Sequence, residues 1–455
     1  MNPNVTTLPR HSAPPRPAVA PRVAAKIWLS VFLAANVLLV TVFFFVGGLS
    51  DRPLISIGRL AGLYAAQAMA FQLLLVARLP WLDRRLGMDR LTSLHRWTGF
   101  SLLWLLGAHV VFIVFGYAGL EGTNAASELV SLATALEGIL RAIVAFVLIL
   151  VVGAVSVRFA RRRMAYETWH FVHLYTYAAM VLAFTHQIAV GQSFTSSPVA
   201  RGYWWTLWIG AGVAVLAGRF VLPLWRNVRH RLRVVAVVPE SANTVSVYLT
   251  GRDLDQLPAR AGQFFLWRFL TRDRWWQANP FSLSAAPDGR ALRLTAKAVG
   301  ESSAKLRSLP VGTRVFAEGP YGAFTTIHQQ QPNALLIAGG VGITPIRALL
   351  EDVAGHVVVL YRTHRREDAV LLPELLNLAK ARGGVVHLLV GPKEQSGPYG
   401  PQLGPESLYA LVPDIAERDV FVCGPAGMTS AVLRSVRQLG VPAAQVHAER
   451  FSLAE

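Results

Sequence analysis

Five of the twelve histidines lie inside or at the edge of long apolar segments: His95, His109, His170, His173 and His186. A polar side chain in hydrocarbon is costly, so each of these imidazoles needs a partner or a ligand. His95 and His109 are 14 residues apart in one segment, and His173 and His186 are 13 residues apart in another. Because histidines on facing helices can hold haem iron from both sides, the spacing favours two layers of iron-ligating histidines.

These histidines need membrane-spanning helices to position them. A span takes about 20 apolar residues. Six segments qualify, covering residues 27–48, 54–77, 97–118, 138–157, 168–190 and 203–224. The tails and connections on one side carry seventeen Lys and Arg residues, whereas the other side carries Arg52 and Arg201. Because positive residues stay inside, the sequence predicts a multi-pass cell-membrane protein with both termini in the cytoplasm.

In this topology the third and fifth spans both run outward from the cytoplasm. His95 and His173 then share an inner level, and His109 and His186 share an outer level about 20 Å away. Two haem b groups at these levels would form an electron path across the bilayer. On an ideal helix, 13 residues miss the same face by about 140°, so the fifth span needs a bend, a π-bulge or differently aimed side chains. The alternatives are hydrogen bonding between helices for all four histidines, and His170 in place of His173 as inner ligand.

Arg59 is a second unusual residue, because it lies near the outer end of the second span. It is predicted either to neutralise a propionate of the outer haem or to attract an anionic product. Its alternative role is to extend its charged end to the membrane interface.

Composition narrows the function further. Charged residues make up 15% of the 455 residues and hydrophobic residues 53%, which excludes a disordered chain. The net charge is +18, but residues 1–233 hold 22 Lys and Arg against 7 Asp and Glu, and residues 234–455 hold 22 against 19. The excess therefore belongs to the membrane half and predicts no nucleic-acid partner. The single cysteine, Cys423, excludes an intrachain disulfide and a cysteine-held cluster.

The second half has a different pattern. Short β-branched and aromatic segments, broken by Gly and Pro, predict a small antiparallel barrel; they cover residues 234–238, 244–250, 263–270 and 292–299. From residue 333, apolar strands alternate with helices, which predicts an α/β domain with a parallel sheet. The predicted domains are a disordered tail (1–26), a six-span haem domain (27–225), a barrel domain (226–330) and an α/β domain (331–455).

Four motifs fall at turns of these two domains: Asn279-Pro280-Phe281-Ser282-Leu283-Ser284, Gly300-Glu301-Ser302-Ser303, Gly339-Gly340-Val341-Gly342-Ile343-Thr344-Pro345 and Cys423-Gly424-Pro425. The second opens a helix whose free N–H groups can hold a pyrophosphate. The third follows a strand and starts a helix, as a dinucleotide phosphate turn does. The fourth ends a strand, where parallel sheets bind ligands. Taken singly, each also fits an ordinary cap or strand-to-helix turn.

In this order the motifs resemble flavoproteins of the ferredoxin–NADP reductase type. With six spans in front, residues 27–455 resemble the transmembrane NADPH oxidase and ferric reductase superfamily, which has two b-type haems on spans three and five. The resemblance implies that the haem ligands are His95, His109, His173 and His186.

The same resemblance implies roles in the reductase half. Pro280, Phe281, Ser282 and Ser284 would line the FAD, with Asn279 beside them and with Gly300, Ser302 and Ser303 on its phosphates. Gly339, Gly340, Gly342, Thr344 and Pro345 would hold NAD(P)H. Cys423, Gly424 and Pro425 would face the nicotinamide, and Phe451 would stack on the flavin until nicotinamide displaces it, which makes Cys423 and Phe451 the predicted catalytic residues.

Two positions depart from the family pattern. Asn279 stands where the family usually has His or Arg, and Ile113 stands where superoxide-forming oxidases have a second outer histidine. The sequence therefore predicts an oxidoreductase that passes electrons from NAD(P)H through FAD and two haems, with ferric chelates as the favoured acceptor. The alternatives are O2, reduced to superoxide or peroxide, and an extracytoplasmic partner protein. Arg362, at the end of the second α/β strand, favours NADPH over NADH because guanidinium pairs well with a 2′-phosphate.

Overall fold

The computed structural model describes the chain in the following ranges: residues 21–157, 160, 163–164, 166–191, 194, 197–392, 396–397 and 400–451. Its first half is helical. The helices are α1 (Pro21–Val46), α2 (Pro53–Val76), α3 (Pro80–Leu86), α4 (Met88–Glu121), α5 (Ala125–Ala135), α6 (Ile139–Ser156), α7 (Tyr166–Val190), α8 (Pro198–Leu216) and α9 (Leu222–His230). A π-helical turn, Ala217–Val221, joins α8 to α9.

Five helices in the described residues are long and apolar enough to cross a membrane: Ala24–Val46, Pro53–Val76, Arg90–Glu121, Ile139–Ser156 and Pro198–His230. The predicted fifth span is also a helix, the 25-residue α7, but it is not one of those five. Its three histidines and Gln187 lower its mean hydropathy. The histidines that are expected to bind haem are therefore among the residues that lower the mean hydropathy of α7.

Local sequence explains where several of these helices begin. Proline has a fixed φ and needs no N–H partner, so it suits the first helical turn. α2 begins at Pro53 and α8 at Pro198. The Ser197 side chain caps α8 by accepting from the backbone N–H groups of Val199 and Ala200.

The reductase half begins with six strands: β1 (Arg233–Ser241), β2 (Thr244–Thr250), β3 (Phe264–Phe269), β4 (Asn279–Ser282), β5 (Ala291–Lys297) and β6 (Val315–Tyr321). They form two antiparallel three-stranded sheets, in the orders β1-β2-β5 and β4-β3-β6. A short helix, α10 (Glu301–Ala304), follows β5. Trp267, Phe265 and Leu294 are buried in the core that the two sheets share.

The last part of the chain is an α/β domain. Its elements are β7 (Asn333–Gly339), α11 (Ile343–Asp352), β8 (Val357–Thr363), α12 (Leu372–Ala381), β9 (Val385–Val390), β10 (Ser396–Gly397), β11 (Gly400–Pro401), α13 (Pro405–Leu411), β12 (Arg418–Pro425), α14 (Ala426–Gln438) and β13 (Val446–Phe451). Five strands pair in parallel, in the order β13-β12-β7-β8-β9, and the short strands β10 and β11 pair separately. One apolar cluster packs on each face of the five-stranded sheet, so the strand ends are its accessible edges.

The element boundaries differ from the sequence-based domain boundaries at two places. The first helix begins at Pro21, inside the predicted disordered tail of residues 1–26, and residues 1–20 lie outside the described part. The last helix of the membrane half continues to His230, past the predicted boundary at residue 225, and β1 begins three residues later at Arg233. The chain therefore passes from the membrane half to the reductase half through Arg231 and Leu232 alone.

Candidate functional site

The inner histidine pair lies between α4 and α7. The ring centroids of His95 and His173 are 6.0 Å apart. Their Nδ1 atoms are buried and find no hydrogen-bond partner among the described residues. Metal–imidazole bonds are about 2 Å long, so two rings on opposite sides of one metal ion have centroids roughly 6 Å apart. The two half-buried rings are therefore spaced as two ligands of one metal ion would be, and His170, one turn earlier, is exposed.

The outer histidines lie on the same two helices. The Nδ1–H of His109 donates to the carbonyl of Gly58 at 2.8 Å, which leaves Nε2 as the lone-pair nitrogen. Metal-ligating histidines are typically oriented by such a bond to a backbone carbonyl. Gly62 permits this close approach, because a Cβ at that position would lie 2.6 Å from His109 Nδ1. The Nδ1 of His186 is buried without a partner in the described residues.

The space between the two layers is apolar. Small and aliphatic side chains from four helices fill it: Ala65, Ala68, Met69, Leu102, Leu106, Ala145, Ile149, Ala179 and Ala183. α7 is a continuous α-helix without the π-bulge that the sequence offered as one remedy for its 13-residue spacing, and the π turn of the membrane half lies at Ala217–Val221 instead. Of the three remedies, a bend or the direction of the side chains remains as the way in which His173 and His186 would align with His95 and His109.

Arg59 lies at the level of His109, next to Gly58, whose carbonyl binds His109. Its Nη1 donates to the carbonyl of Gly48 at 3.2 Å, and its guanidinium lies 5.9 Å from the centre of the Phe44 ring. Its Nη2 is buried and has no hydrogen-bond partner in the described residues. A buried guanidinium N–H without a partner fits an anion better than it fits an arginine that extends to the interface.

The reductase half contains a cleft of about 910 Å³ between strands β4 and β5, one from each antiparallel sheet, and the carboxyl edge of the parallel sheet. It brings together eight of the predicted site residues: Pro280, Phe281, Ser282, Gly339, Gly340, Thr344, Arg362 and Pro425. The flavin motif and the nucleotide motif therefore face one cavity. Its volume falls in the range of ligand sites, about 300–1,000 Å³.

The cleft also has lining residues that the sequence analysis missed, among them Lys297, His364, Met428, Arg434 and Gln438. Arg434 and Gln438 lie on α14, one turn apart, on the face toward the cleft. Their spacing by four is the signal that could have identified them, once the strand before α14 was placed at the ligand edge. Together with Arg362 and Lys297, Arg434 gives the cleft an excess of positive charge over Asp368, which suits phosphates.

The nucleotide turn needs glycine for two different reasons. Gly340 has φ +54°, in the left-handed region, and open space lies around it. Gly342 packs against β12, and a Cβ there would lie 2.3 Å from the carbonyl oxygen of Cys423. The turn can therefore press its backbone against the sheet while it presents N–H groups at the start of α11.

The first two motifs adjoin each other. The Ser302 hydroxyl donates to Oδ1 of Asn279 at 2.9 Å. The Ser303 hydroxyl accepts from the backbone N–H groups of Val299 and Gly300 and so closes its own turn. Asn279 and Ser302 are thereby held side by side next to the β4 residues that line the cleft.

Two predicted contacts are corrected by the structure. Ser284 is fully buried, and its hydroxyl accepts from Arg293 Nε at 3.0 Å and from the Thr295 hydroxyl at 2.7 Å, so it supports the sheet and does not line the cleft. Cys423 lies in the core of the α/β domain, and burial, together with the Glu449 carboxylate, raises the pKa of its thiol. A strand covered on both faces exposes only its end, which here is Pro425.

The remaining predicted residues lie either in the lining of the cleft or next to it. Pro345 and Gly424 are buried beside the cleft. Arg362 lines it, but its guanidinium also donates to the carbonyls of Gly391 and Pro392 at 3.1 and 2.9 Å, and burial lowers its pKa. The backbone of Phe451 pairs with Pro425 at the cleft edge, whereas its side chain lies outside the described part.

Comparisons with known proteins match both halves. Residues 61–184 match the family described as "Ferric reductase like transmembrane component". Residues 336–434 match the family described as "Oxidoreductase NAD-binding domain". The first range contains α4 and most of α7, and the second runs from β7 to Arg434 on α14.

The reductase half has many relatives. It is similar to ferredoxin–NADP reductase B of Sorangium cellulosum, with 33% identity over 189 residues that cover 38% of this chain and 77% of that protein. It is also similar to the ferredoxin–NAD(+) reductase component of the alkene monooxygenase system of Xanthobacter autotrophicus, with 30% identity, 49% of this chain and 70% of that protein covered. Among solved structures, the FAD/NAD-binding domain of nitric oxide dioxygenase from Vibrio cholerae matches with 25% identity and a TM-score of 0.40, covering 49% of this chain and 99% of that one.

Proposed function

The chain belongs to the ferredoxin–NADP reductase family in its second half, which is joined to a ferric reductase-like transmembrane component, and we propose that it carries electrons from cytoplasmic NAD(P)H to an acceptor on the outer face of the membrane. When bound, FAD takes a hydride from NAD(P)H and releases single electrons, and haem iron carries electrons one at a time. The protein's own task is to bind and orient these groups.

The observation that carries this proposal is the His95–His173 pair, whose ring centroids are 6.0 Å apart and whose buried Nδ1 atoms have no partner in the described residues. Buried imidazole nitrogens without hydrogen-bond partners inside an apolar bundle are costly unless the imidazoles bind a ligand. We assign His95 and His173 to an inner haem and His109 and His186 to an outer haem. Arg59, whose buried Nη2 has no partner in the described residues, supports the outer site by pairing with a carboxylate.

In the reductase half, the residues of β4 hold the flavin and the turn at Gly339–Thr344 holds the phosphates of NAD(P)H. Pro280, Phe281 and Ser282 shape the flavin side of the cleft, and Pro425 closes the nicotinamide side. Phe451, paired with Pro425 along the backbone, is the proposed flavin-stacking residue. We propose NADPH as the preferred donor because Arg362 and Arg434 both line the cleft.

A ferric chelate is the proposed acceptor. The connections on the side away from the reductase half are short, covering residues 47–52, 122–138 and 191–197, so a small soluble acceptor can approach the outer haem. O2 is the second candidate, since Arg59 offers a cation at that level, but Ile113 occupies the position of a dedicated histidine. An extracytoplasmic partner protein is the third.

An anaerobic titration of the FAD- and haem-loaded protein with NADPH tests the proposal. We expect NADPH to reduce a bis-histidine haem spectrum, and ferric chelate to reoxidise it faster than O2 does. Faster reoxidation by O2 would make the protein an oxidase. A haem spectrum that NADPH does not change, with the flavin reduced, would refute the proposed electron path.

A further inference from the structure

A polar joint connects the cytoplasmic ends of the membrane helices to strand β6. Glu318 is at its centre. Its two carboxylate oxygens bind Arg78, from the connection between α2 and α3, at 2.5 Å, and Arg268, from β3. The Glu318 side chain is only 10% exposed, and the two arginines are 24% and 27% exposed. One buried carboxylate thus links the connection after α2 to two strands of the reductase half.

A second set of bonds holds α9 against the same strand. Asn227 Nδ2 donates to the Ala317 carbonyl, and Asn227 Oδ1 accepts from the Ala317 N–H, both at 2.8 Å. Arg226 Nη1 donates to the carbonyl of Gly319. Asn227 therefore acts like a paired residue of a neighbouring strand, satisfying both backbone groups of Ala317.

α3 contributes the third contact. The Asp83 carboxylate is buried and accepts from the N–H of Gly322 at 2.7 Å, just after β6. His328, also buried, donates through Nε2 to the Arg84 carbonyl at 3.1 Å. Three elements of the membrane half therefore bind consecutive parts of the chain from Ala317 to His328.

The membrane elements of the joint are themselves fastened together. Gly218, in the π turn, lies so close to the end of α2 that a Cβ there would be 2.0 Å from the Ala77 carbonyl oxygen. Arg219 Nε donates to the Val76 carbonyl at 2.8 Å. On the same helix, Gln72 Nε2 donates to the backbone carbonyl of His95 at 3.0 Å. The joint is thus one short helix segment away from the inner histidine pair.

Within the reductase half, the joint is close to β4, which we call the flavin strand because its residues are proposed to hold the flavin. β6 and β4 belong to one sheet with β3 between them. Neighbouring strands are about 4.7–4.9 Å apart, so β6 is about 10 Å from β4, the strand that lines the cleft. Because a hydrogen-bonded sheet moves as a unit, any displacement of β6 would carry Pro280–Ser282 with it.

We propose that Glu318 and Asn227 are positioning residues that hold the flavin strand at a fixed distance from the inner histidine pair. This inference rests on the proposed function. In this arrangement the reductase half stays docked throughout turnover, so electrons pass from flavin to the inner site without a docking step. The two-residue connection between α9 and β1 supports a fixed arrangement, because it leaves no flexible linker.

The test separates flavin reduction from haem reduction in the full-length, FAD- and haem-loaded protein. Glu318→Gln leaves Arg78 and Arg268 without a counter-charge, and Asn227→Leu leaves the two Ala317 backbone groups unpaired. In anaerobic stopped-flow with NADPH, we expect unchanged flavin reduction and unchanged NADPH KM in both variants. We expect haem reduction to slow by roughly tenfold or more. The loss of a buried polar partner weakens the joint, so the flavin strand is no longer held at its distance from the inner histidine pair.

Asp253→Asn is the matched control. It removes an ion pair between the reductase half and Arg229 on α9 that lies outside the joint, and its side chains are 53% and 33% exposed. Such exposed pairs contribute little. Haem reduction at the parent rate in both joint variants would overturn the inference, and so would equal slowing in the control.

Hydrogen exchange gives a readout that does not need haem. We expect the amides of Ala317 and Gly322 to exchange faster in Asn227→Leu than in the parent protein. If the parent protein shows no haem reduction by NADPH, the proposed function fails, while protection of these amides still reports whether the joint exists. Unchanged exchange in Asn227→Leu would overturn the joint itself.

Discussion

Replacing His173 by alanine is expected to remove one of the two haems and to leave the other in place. The ring of His173 faces that of His95 at 6.0 Å, so the inner site depends on it. The outer histidines lie 13 or 14 residues further along the same helices, about 20 Å away at 1.5 Å per residue. We therefore expect the haem-to-FAD ratio to fall from about 2 to about 1, with each site keeping its own histidine pair.

The matched control is His170→Ala, one helical turn earlier on α7. His170 is exposed, so its loss is expected to leave both haems bound. Haem is measured as the pyridine complex, and FAD by fluorescence after release, in the same detergent-purified sample. In His173→Ala the flavin is still expected to accept electrons from NADPH, because the cleft lies in the other half, but the remaining haem should stay oxidised.

The opposite pattern would refute this reasoning. If His170→Ala loses a haem and His173→Ala keeps both, the inner ligand is His170 and the 6.0 Å contact between His95 and His173 is ordinary packing. If neither substitution changes the haem content, the histidine layers do not bind haem.

Three further predictions concern the reductase half. In steady-state assays, Arg434→Ala is expected to raise the KM for NADPH by roughly tenfold and to leave the KM for NADH unchanged, because only NADPH has the 2′-phosphate that the arginine would bind. The control is Arg437→Ala, an exposed residue on the same helix. Cys423 has a raised pKa, so the folded protein keeps its proton while the unfolded thiol loses it above about pH 8.5, and stability should fall as pH rises there. Thermal unfolding of Cys423→Ala across this range should lack that alkaline loss. Gly342→Ala is expected to lower the free energy of unfolding by about 1–3 kcal/mol, because its Cβ would lie 2.3 Å from a carbonyl oxygen, whereas Gly427→Ala, with open space, should not.

Local signals were sufficient for some elements. The apolar segments and the histidine spacing predict helices at the places where α4 and α7 occur, and the Gly339–Pro345 motif predicts a strand-to-helix turn that the structure also has. Hydrophobic periodicity and turn chemistry act over a few residues, so they are readable without a partner. The lower hydropathy of α7 shows the limit of that signal, because the histidines that indicate function also reduce the membrane character of their helix.

Side-chain direction within a motif was less predictable. Ser284 and Cys423 belong to motifs that do reach the cleft, but both side chains are buried away from it. Ser284 is two residues after Ser282, and its hydroxyl accepts hydrogen bonds from the Arg293 and Thr295 side chains of β5. Which residue of a motif faces a ligand depends on such cross-strand partners, which the motif itself does not contain.

The joint shows what sequence pattern leaves out altogether. The sequence predicts that Arg78 helps to keep the connection between α2 and α3 in the cytoplasm. In the structure Arg78 also forms an ion pair with Glu318, which is 240 residues later in the chain. A bond of that sequence separation has no local signature. What the sequence does contain is a helix that ends at His230 and a strand that begins at Arg233, with no Gly-, Ser- or Pro-rich linker between them. So short a connection keeps the two halves adjacent, and contacts such as Arg78–Glu318 then fix their orientation, as we propose above. Electron delivery to the inner histidine pair is then governed by how rigidly β6 is held, which is why we expect the slow step in Glu318→Gln to lie after flavin reduction.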